Sequence, residues 1–309
     1  MQVVHGHSHV PITARSAVVA IGNFDGVHLG HRVLLNEAVR LGKSLGRPSG
    51  AMMFEPLPRE YFQPNEQHFR ITPLKRKLAI FEKIGLKVAF VETFDHLLAG
   101  LKADEFIERV LVAGLGVGHV IIGYDFYFGH KRGGNPELMV QAGERLGFGV
   151  TIVPPVAEAG ETFSSSGVRL HLAQGDVKGA AHMLGENWRV AGKVVGGAKR
   201  GAGLGYPTAN VPMPKGTGLG HGIYAVRAHV DGKTHDAAAY LGTRPTFDDA
   251  MPVLEVFLFD FDGDLYGHEM DVEFVDFLRG DRKFSTGEEL VAQMHEDVAR
   301  ARVILAPPP

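Results

Sequence analysis

AVVAI (17–21) runs straight into GNFDGVHLGH (22–31), and the reading of this junction decides the fold of the first half of the chain. The five leading residues are apolar and partly β-branched and stop at a glycine, the pattern of a short buried strand. Gly22 and Gly26 let the backbone turn tightly, and a helix opens near His28–His31. A helix beginning directly after a buried strand aims its free amide groups and the positive end of its dipole beyond the strand end, where phosphate is welcome. The two imidazoles add side-chain donors, and neither need be a permanent cation. Two surface histidines at a helix start are the structural alternative, and a zinc pair lacks a third ligand nearby. The glycines, Asp25 and the strand-to-helix position agree on phosphate.

The same alternation continues downstream. Leu34, Leu35, Ala38, Val39 and Leu45 recur at helical spacing, and GAMMF (50–54), KVAFVE (87–92), HVIIG (119–123) and GVTIV (149–153) read as further buried strands. Leu74, Leu78, Phe81 and Ile84 form the inner stripe of a helix opened by Thr72 as cap and Pro73 in the first turn. Phe106, Ile107, Val110 and Leu111 mark another helix, and Asn135-Pro136 repeats the cap-plus-proline start. Strands alternating with helices predict a doubly wound parallel sheet covered on both faces, with ligands beyond the carboxyl ends of the strands. Two loops sit at such ends. GYDFYFGHKRGG (123–134) offers Asp125 and the rings of Phe126 and Phe128, able to stack on a base or flavin ring or to pack in the core. SSSGVR (164–169) offers the hydroxyls of Ser164, Ser165 and Ser166 with Arg169, which suit a triphosphate, although serine runs also serve as caps.

Helical spacing then gives way to alternation. Asp176 caps VKGAAHMLG, which ends at Gly185, and the domain boundary is placed near 185–188, dividing 1–186 from 187–309. IYAVRAHV (223–230) meets the hairpin signal Asp231-Gly232, VLEVFLFD (253–260) is followed by Asp262-Gly263, and MDVEFVDFL (270–278) comes next. Short strands with glycine turns predict a small β-barrel. One terminal helix follows, with Ser285 and Glu288 in capping-box spacing and Leu290, Val291, Met294, Val298 and Ala301 on one face. GGAKRGAGLGYPTAN (196–210) is glycine-rich, but it carries neither the P-loop pattern nor a dinucleotide fingerprint. A flexible hairpin loop would account for its glycines. Thr208 and Asn210, two residues apart on an extended chain, share one side and can hold magnesium and a phosphate, while the backbone at Gly201 and Gly203 wraps a nucleotide. Glu255 shares a strand face with Val253, Phe257 and Phe259, where an acid is costly unless paired or employed.

Composition narrows the classes. The chain has 309 residues, 45% hydrophobic and 22% charged, with net charge -3, no cysteine and no apolar run long enough for a spanning helix. These values predict two globular domains, no disulfides or thiolate chemistry, no nucleic-acid or membrane partner, and a reducing, cytoplasmic setting. A monomer or weak homo-oligomer is expected. MQVVHGHSHV (1–10) lacks a basic start and an apolar core, so it is not read as a signal peptide. It reads as a loose start whose His5, His7 and His9 alternate as a weak metal clip would.

HLGH resembles the HxGH signature of the nucleotidyltransferases. With the 123–134 and 164–169 loops, the first half resembles the adenylyltransferase domain of prokaryotic bifunctional riboflavin kinase/FAD synthetases. FEPLPREYF (54–62) matches a family segment placed near the flavin, which implies Phe54, Pro56, Pro58 and Phe62 as flavin contacts. The second half resembles the riboflavin kinases through PTAN (207–210), GIYAV (222–226), LGTRPTF (241–247), LEVFLFDFDGDLYG (254–267) and LRGDRKFSTGEEL (278–290), in the family's order. The chain departs from the family at Ser166, where threonine is usual, and at Asp125, where some relatives carry asparagine. The resemblance implies that Gly22, Phe24, Asp25, His28 and His31 serve ATP while a phosphate attacks the α-phosphorus. It also implies that Thr208 and Asn210 serve Mg²⁺ and ATP, that Glu255 is the base acting on riboflavin, and that Arg279 lies over the flavin site. Riboflavin, FMN, FAD and ATP are the expected ligands. One domain as a degenerate remnant, or a flavin sensor without turnover, are the rival readings.

Overall fold

Val18 and Ala20 enter one apolar core while Val19 and Ile21 enter another. This period of two with both faces buried marks an interior parallel strand. The computed structural model describes residues 1–158, 160–196, 205–214, 216–242 and 252–307. It divides into two compact units, Met1–Ser165 and Ser166–Pro309.

The first unit holds a six-stranded sheet whose paired strands are all parallel: β1 (Gln2–His5), β2 (Val18–Ile21), β3 (Ser49–Glu55), β4 (Val88–Thr93), β5 (His119–Gly123) and β6 (Gly149–Val153), in the order β1-β4-β3-β2-β5-β6. Helices α1 (Leu29–Leu45), α2 (Pro58–Phe62), α3 (Leu74–Ile84), α4 (His96–Gly100), α5 (Ala103–Glu105, continuing as π-turns over Phe106–Leu115) and α6 (Pro136–Leu146) connect them. Leu34, Leu35 and Ala38 of α1 and Ile80 and Phe81 of α3 cover one face, while Ile107, Val110, Leu111 and Met139 cover the other. Strand order reverses between β2 and β5, so a crevice opens beyond Ile21 and Gly123, at the end of the sheet where the opening motif begins. A short hairpin, β7 (Ala157–Glu158) with β8 (Glu161–Thr162), follows β6.

The first unit departs from two local expectations. The N-terminal segment is not loose: β1 pairs in parallel with β4, Val4 enters the core, and His7 Nδ1 lies 2.9 Å from Glu92 Oε2. An open sheet edge offers unpaired backbone groups, and a β-branched Val-Val pair completes it. His7 is thereby engaged with a carboxylate, and no group of three or more possible metal ligands occurs among the described residues. Thr72 does not cap α3. Pro73 holds that position, and the Thr72 amide is drawn instead to Asp25.

The second unit begins with α7 (from Ser165, to Ala173) and α8 (Val177–Leu184), the latter capped by Asp176 as expected. The barrel is antiparallel: β9 (Arg189–Lys193), β10 (Ala209–Pro212), β11 (Gly222–Val230), β12 (Lys233–Gly242), β13 (Val253–Leu258) and β14 (Glu269–Arg279), ordered β10-β13-β12-β11-β14-β9. A bridge between Val195 and Asn210 brings its two edges nearly together. Asp231 and Gly232, with φ of 50° and 74°, turn β11 into β12. Helix α9 (Gly287–Leu305) lays Val298, Ala301 and Leu305 on Phe257 and Phe259, and its cap is Thr286 with Glu289, one residue beyond the expected pair. The helical pair packs on the barrel. Gly220 N donates to Leu172 O at 2.8 Å, and Lys178 Nζ meets Asp276 Oδ2 at 2.6 Å.

Candidate active sites

The turn from β2 to α1 is held in a conformation that side chains resist. Phe24 and Val27 have φ of 49° and 45°, flanking Gly26 at 91°. Left-handed backbone costs on the order of 1–3 kcal/mol per residue and persists only where the surroundings enforce it. Here both side chains are fully buried. Phe24 meets His31 edge-on at 5.2 Å and Phe81 at 5.5 Å, so its ring supports a histidine from the core. A side chain at Gly22 would press on that ring at 3.3 Å.

His28 is the N-cap of α1, and its Nδ1 accepts the His31 amide at 3.3 Å. The neutral ring therefore carries its proton on Nε2, leaving a donor free of the helix. The two imidazoles stack at 3.6 Å, and His31 Nδ1 is buried without a hydrogen-bond partner. Burial lowers the His28 pKa to about 4. Burial first, then His28 and Lys77, hold His31 well below the ordinary imidazole value. Both rings are neutral near pH 7, as donors to an anion that brings its own counter-charge can be. A Cβ at Gly30 would sit 3.1 Å from the His28 ring and 3.2 Å from the Phe163 carbonyl, so glycine admits the chain that leads into the serine run. Ser165 Oγ donates to the Asp25 carbonyl at 2.8 Å. Ser164 precedes it, and Ser166 and Arg169 follow on α7.

Asp25, expected at the phosphates, has a structural task. It is 4% exposed, and its Oδ1 accepts the amides of Ile71 and Thr72 at 3.0 and 3.1 Å. Arg59 approaches Oδ2 at 3.4 Å. A carboxylate so placed ties the turn to the segment before α3. Asp25→Ala would strand two buried amides and is expected to destabilise the first unit by about 2–4 kcal/mol. Urea denaturation checks this, and an unchanged midpoint would contradict the tie.

Around the ends of β3 and β4 lie the residues expected at the flavin. Phe54, Tyr61 and Phe62 gather on Phe94 at 5.8, 5.4 and 5.8 Å, and Phe62 is largely exposed. Pro56 follows β3, and Pro58 opens α2. Arg70 clamps Glu60 and meets Glu55 Oε2 at 2.7 Å, bracing this segment. Beyond β5, Asp125 is exposed, and Phe126 stacks on Phe128 at 5.4 Å. Phe128 itself is buried against Phe106 and belongs to the core.

In the barrel, register assembles the expected residues. Asn210 stands opposite Glu255, Glu255 opposite Tyr240, Tyr240 opposite Ile223 and Ile223 opposite Arg279. Directly opposed residues share a face, so Asn210, Glu255 and Arg279 lie on one row across four strand pairings. Leu254, Val256 and Leu258 fill the interior, whereas Glu255 and Phe257 are half-buried on the outer face. Glu255 thus avoids the aliphatic interior. Asn210 is 4% exposed, and its amide donates to the Thr208 carbonyl at 3.4 Å. Tyr240 is hydrogen-bonded to Asp281, and burial, Asp281 and Glu255 raise its pKa. The Arg279 fork is held by Asp297 of α9 at 2.7–3.1 Å, which fixes its plane and takes up its charge. A groove lined by Thr286, Gly287, Glu288, Val291, Ala292 and His295 runs along the first turns of α9. Gly201, Gly203 and residues 243–247 lie outside the described residues.

A family model described as FAD synthetase matches residues 10–167, and one described as riboflavin kinase matches 184–305. The chain is 39% identical to the bifunctional riboflavin kinase/FMN adenylyltransferase of Pseudomonas fluorescens over 99% of both chains. The chain belongs to this family. It is 37% identical to the Escherichia coli K12 relative of the same name, over 97% of this chain and 95% of that one, and 33% identical to the Bacillus subtilis relative, over 97% and 96%. A solved Streptococcus pneumoniae structure titled macrolide-efflux protein superposes with a TM-score of 0.86 at 27% identity, over 98% of this chain and 99% of that one. Among the described residues no helix is long and apolar enough to cross a membrane.

As a bifunctional riboflavin kinase/FMN adenylyltransferase, the protein serves flavin cofactor synthesis. Sequence reasoning missed Phe94, Tyr240, Asp297 and above all Lys77, which is 1% exposed in α3. Its signal was present: Lys77 lies three residues after Leu74 and four before Phe81, inside the apolar stripe.

Proposed function

We propose that 187–309 phosphorylates riboflavin with ATP to FMN, and that 1–186 transfers AMP from ATP to FMN, giving FAD and pyrophosphate. The observation that supports this is how each unit arranges residues distant in sequence: in the first, the stacked His28 and His31 follow the turn whose Asp25 carbonyl accepts from Ser165, and in the second, Glu255 stands opposite Asn210 on the row that continues to Arg279.

In adenylyl transfer a phosphate oxygen of FMN attacks the α-phosphorus, and the bond to the β-phosphate breaks, its electron pair leaving with pyrophosphate. No covalent intermediate is needed. His28 offers its Nε2 proton and α1 its amide groups to the phosphates, so the protein's part is orientation and charge stabilisation. Ser164, Ser165, Ser166 and Arg169 complete the triphosphate contacts, and the exposed Asp125 faces the ribose or base. Phe54, Pro56, Pro58, Phe62 and Phe126 take the flavin.

In the kinase half, Glu255 accepts the proton of the ribityl hydroxyl as that oxygen attacks the γ-phosphorus and ADP leaves. Thr208 and Asn210 supply hard oxygen donors, and one or two such ligands plus phosphates are the usual surroundings of Mg²⁺. When bound, Mg²⁺ neutralises charge on the transferring phosphoryl group. The α9 groove and Arg279, with its plane fixed by Asp297, border the flavin.

The test is incubation with riboflavin, ATP and Mg²⁺, resolving flavins by chromatography. FMN should appear first and FAD second, and supplied FMN should yield FAD directly. FMN without FAD would support a remnant first domain. Flavin binding with neither product would support a sensor.

A further inference from the structure

Lys77 is an ammonium held inside the first unit. Its Nζ donates to the Asn23 carbonyl at 2.9 Å and lies 4.0 Å from Glu55 Oε1. Asn23 belongs to the strained turn that leads to His28 and His31, whereas Glu55 ends β3 immediately before the Pro56–Phe62 segment. Glu55 Oε2 goes to Arg70, whereas Oε1 is buried with no hydrogen-bond partner and lies 4.0 Å from the Lys77 ammonium. A compact ammonium with three donors can hold a carbonyl and face a carboxylate at once, which an apolar residue at this stripe position could not. Burial pushes its pKa down, while Asp25, Glu55 and Glu60 act to hold it up and Arg70 opposes them.

We propose that Lys77 is a positioning residue for adenylyl transfer, which ties the phosphate turn to the flavin segment and so sets how the FMN phosphate meets the α-phosphorus. The inference rests on the assignment of those two segments made above. Lys77 touches neither reacting atom. It acts through the Asn23 carbonyl and Glu55, and misplacement of reacting groups by about 1 Å is enough to cost about 10²-fold.

Lys77→Met keeps the stem and removes the ammonium. In the full chain with FMN, ATP and Mg²⁺, kcat for FAD formation is expected to fall about 10²-fold. ATP and FMN dissociation constants, measured separately by calorimetry, should stay within about threefold, since each half-site survives. Riboflavin phosphorylation should be unaffected. Glu55→Gln should lower kcat about tenfold. The double variant should be no slower than Lys77→Met alone, because both changes cut the same tie. Unchanged kcat, affinity for either ligand lost in step with kcat, or fully additive losses would each overturn the proposal. If Lys77→Met unfolds the first unit by circular dichroism, Glu55→Gln decides: a kcat loss with both affinities retained supports the tie, and an unmutated kcat overturns it. An unmutated chain that makes no FAD from FMN would defeat the underlying assignment instead. FAD formation at normal rate by the unmutated chain and by Lys77→Met defeats the positioning role alone.

Discussion

Glu255→Gln is expected to slow riboflavin phosphorylation by ~10²–10⁴-fold, the usual cost of losing a general base. The register explains the choice of residue. Glu255 stands between Asn210 and Tyr240 on the outer face of the barrel, half-buried, while Leu254 and Val256 fill the interior behind it. Glutamine keeps size and hydrogen bonding at that place, so the barrel stays folded and riboflavin still binds. FAD formation should fail from riboflavin and recover when FMN is supplied, which separates lost chemistry from unfolding. Phosphorylation at the unmutated rate, with chemistry shown to limit turnover, would make Glu255 structural.

His28→Asn is expected to lower FAD formation from FMN by about 10²–10³-fold, the range seen when a donor to developing charge is removed, with riboflavin phosphorylation intact. Asparagine caps helices as well as any residue, so it can still accept the His31 amide. What disappears is the imidazole and its outward donor. The same variant carries a pH signature. The folded His28 pKa of about 4 lies below the ordinary value of 6.5, so the unfolded chain binds more protons between those limits, and stability falls as pH drops from 6.5 towards 4. The difference corresponds to about 3 kcal/mol, fully absent above pH 6.5. His28→Asn should lack this part of the acid loss, leaving that of His31, whose pKa is lowered too. A variant that makes FAD at the unmutated rate would remove His28 from the phosphate site. An acid profile identical to the unmutated chain would mean that His28 is not buried as a neutral ring.

Local rules carried much of the reading. AVVAI before a glycine turn and a helix is enough to place a strand end and a helix N-terminus, because strand burial and helix capping act within a few residues. The caps at Asn135 and Asp176 and the Asp231-Gly232 hairpin follow from the same short range. Both architectures were legible because period two with both faces apolar requires cover on both sides, whereas simple alternation with glycine turns permits a barrel.

What tertiary structure decided lies beyond that range. The strand β1 exists because β4 presents an open edge, something MQVVHGHSHV cannot announce by itself. Asp25 looks like a phosphate neighbour in GNFDG until Ile71 and Thr72 arrive with two buried amides. Phe24 and Phe128 read as ligand contacts, and only packing shows that both rings are buried against other aromatics. Lys77 resembles a surface lysine until the Asn23 carbonyl and Glu55 surround it. The row from Asn210 through Glu255 to Arg279 depends on register, and a slip of one residue would turn Glu255 towards the interior. The sequence by itself determined which residue types could handle phosphate and flavin and on which local elements they sit. Their convergence was left to packing, because opposed strands and buried charge pairs are chosen by residues scores of positions apart.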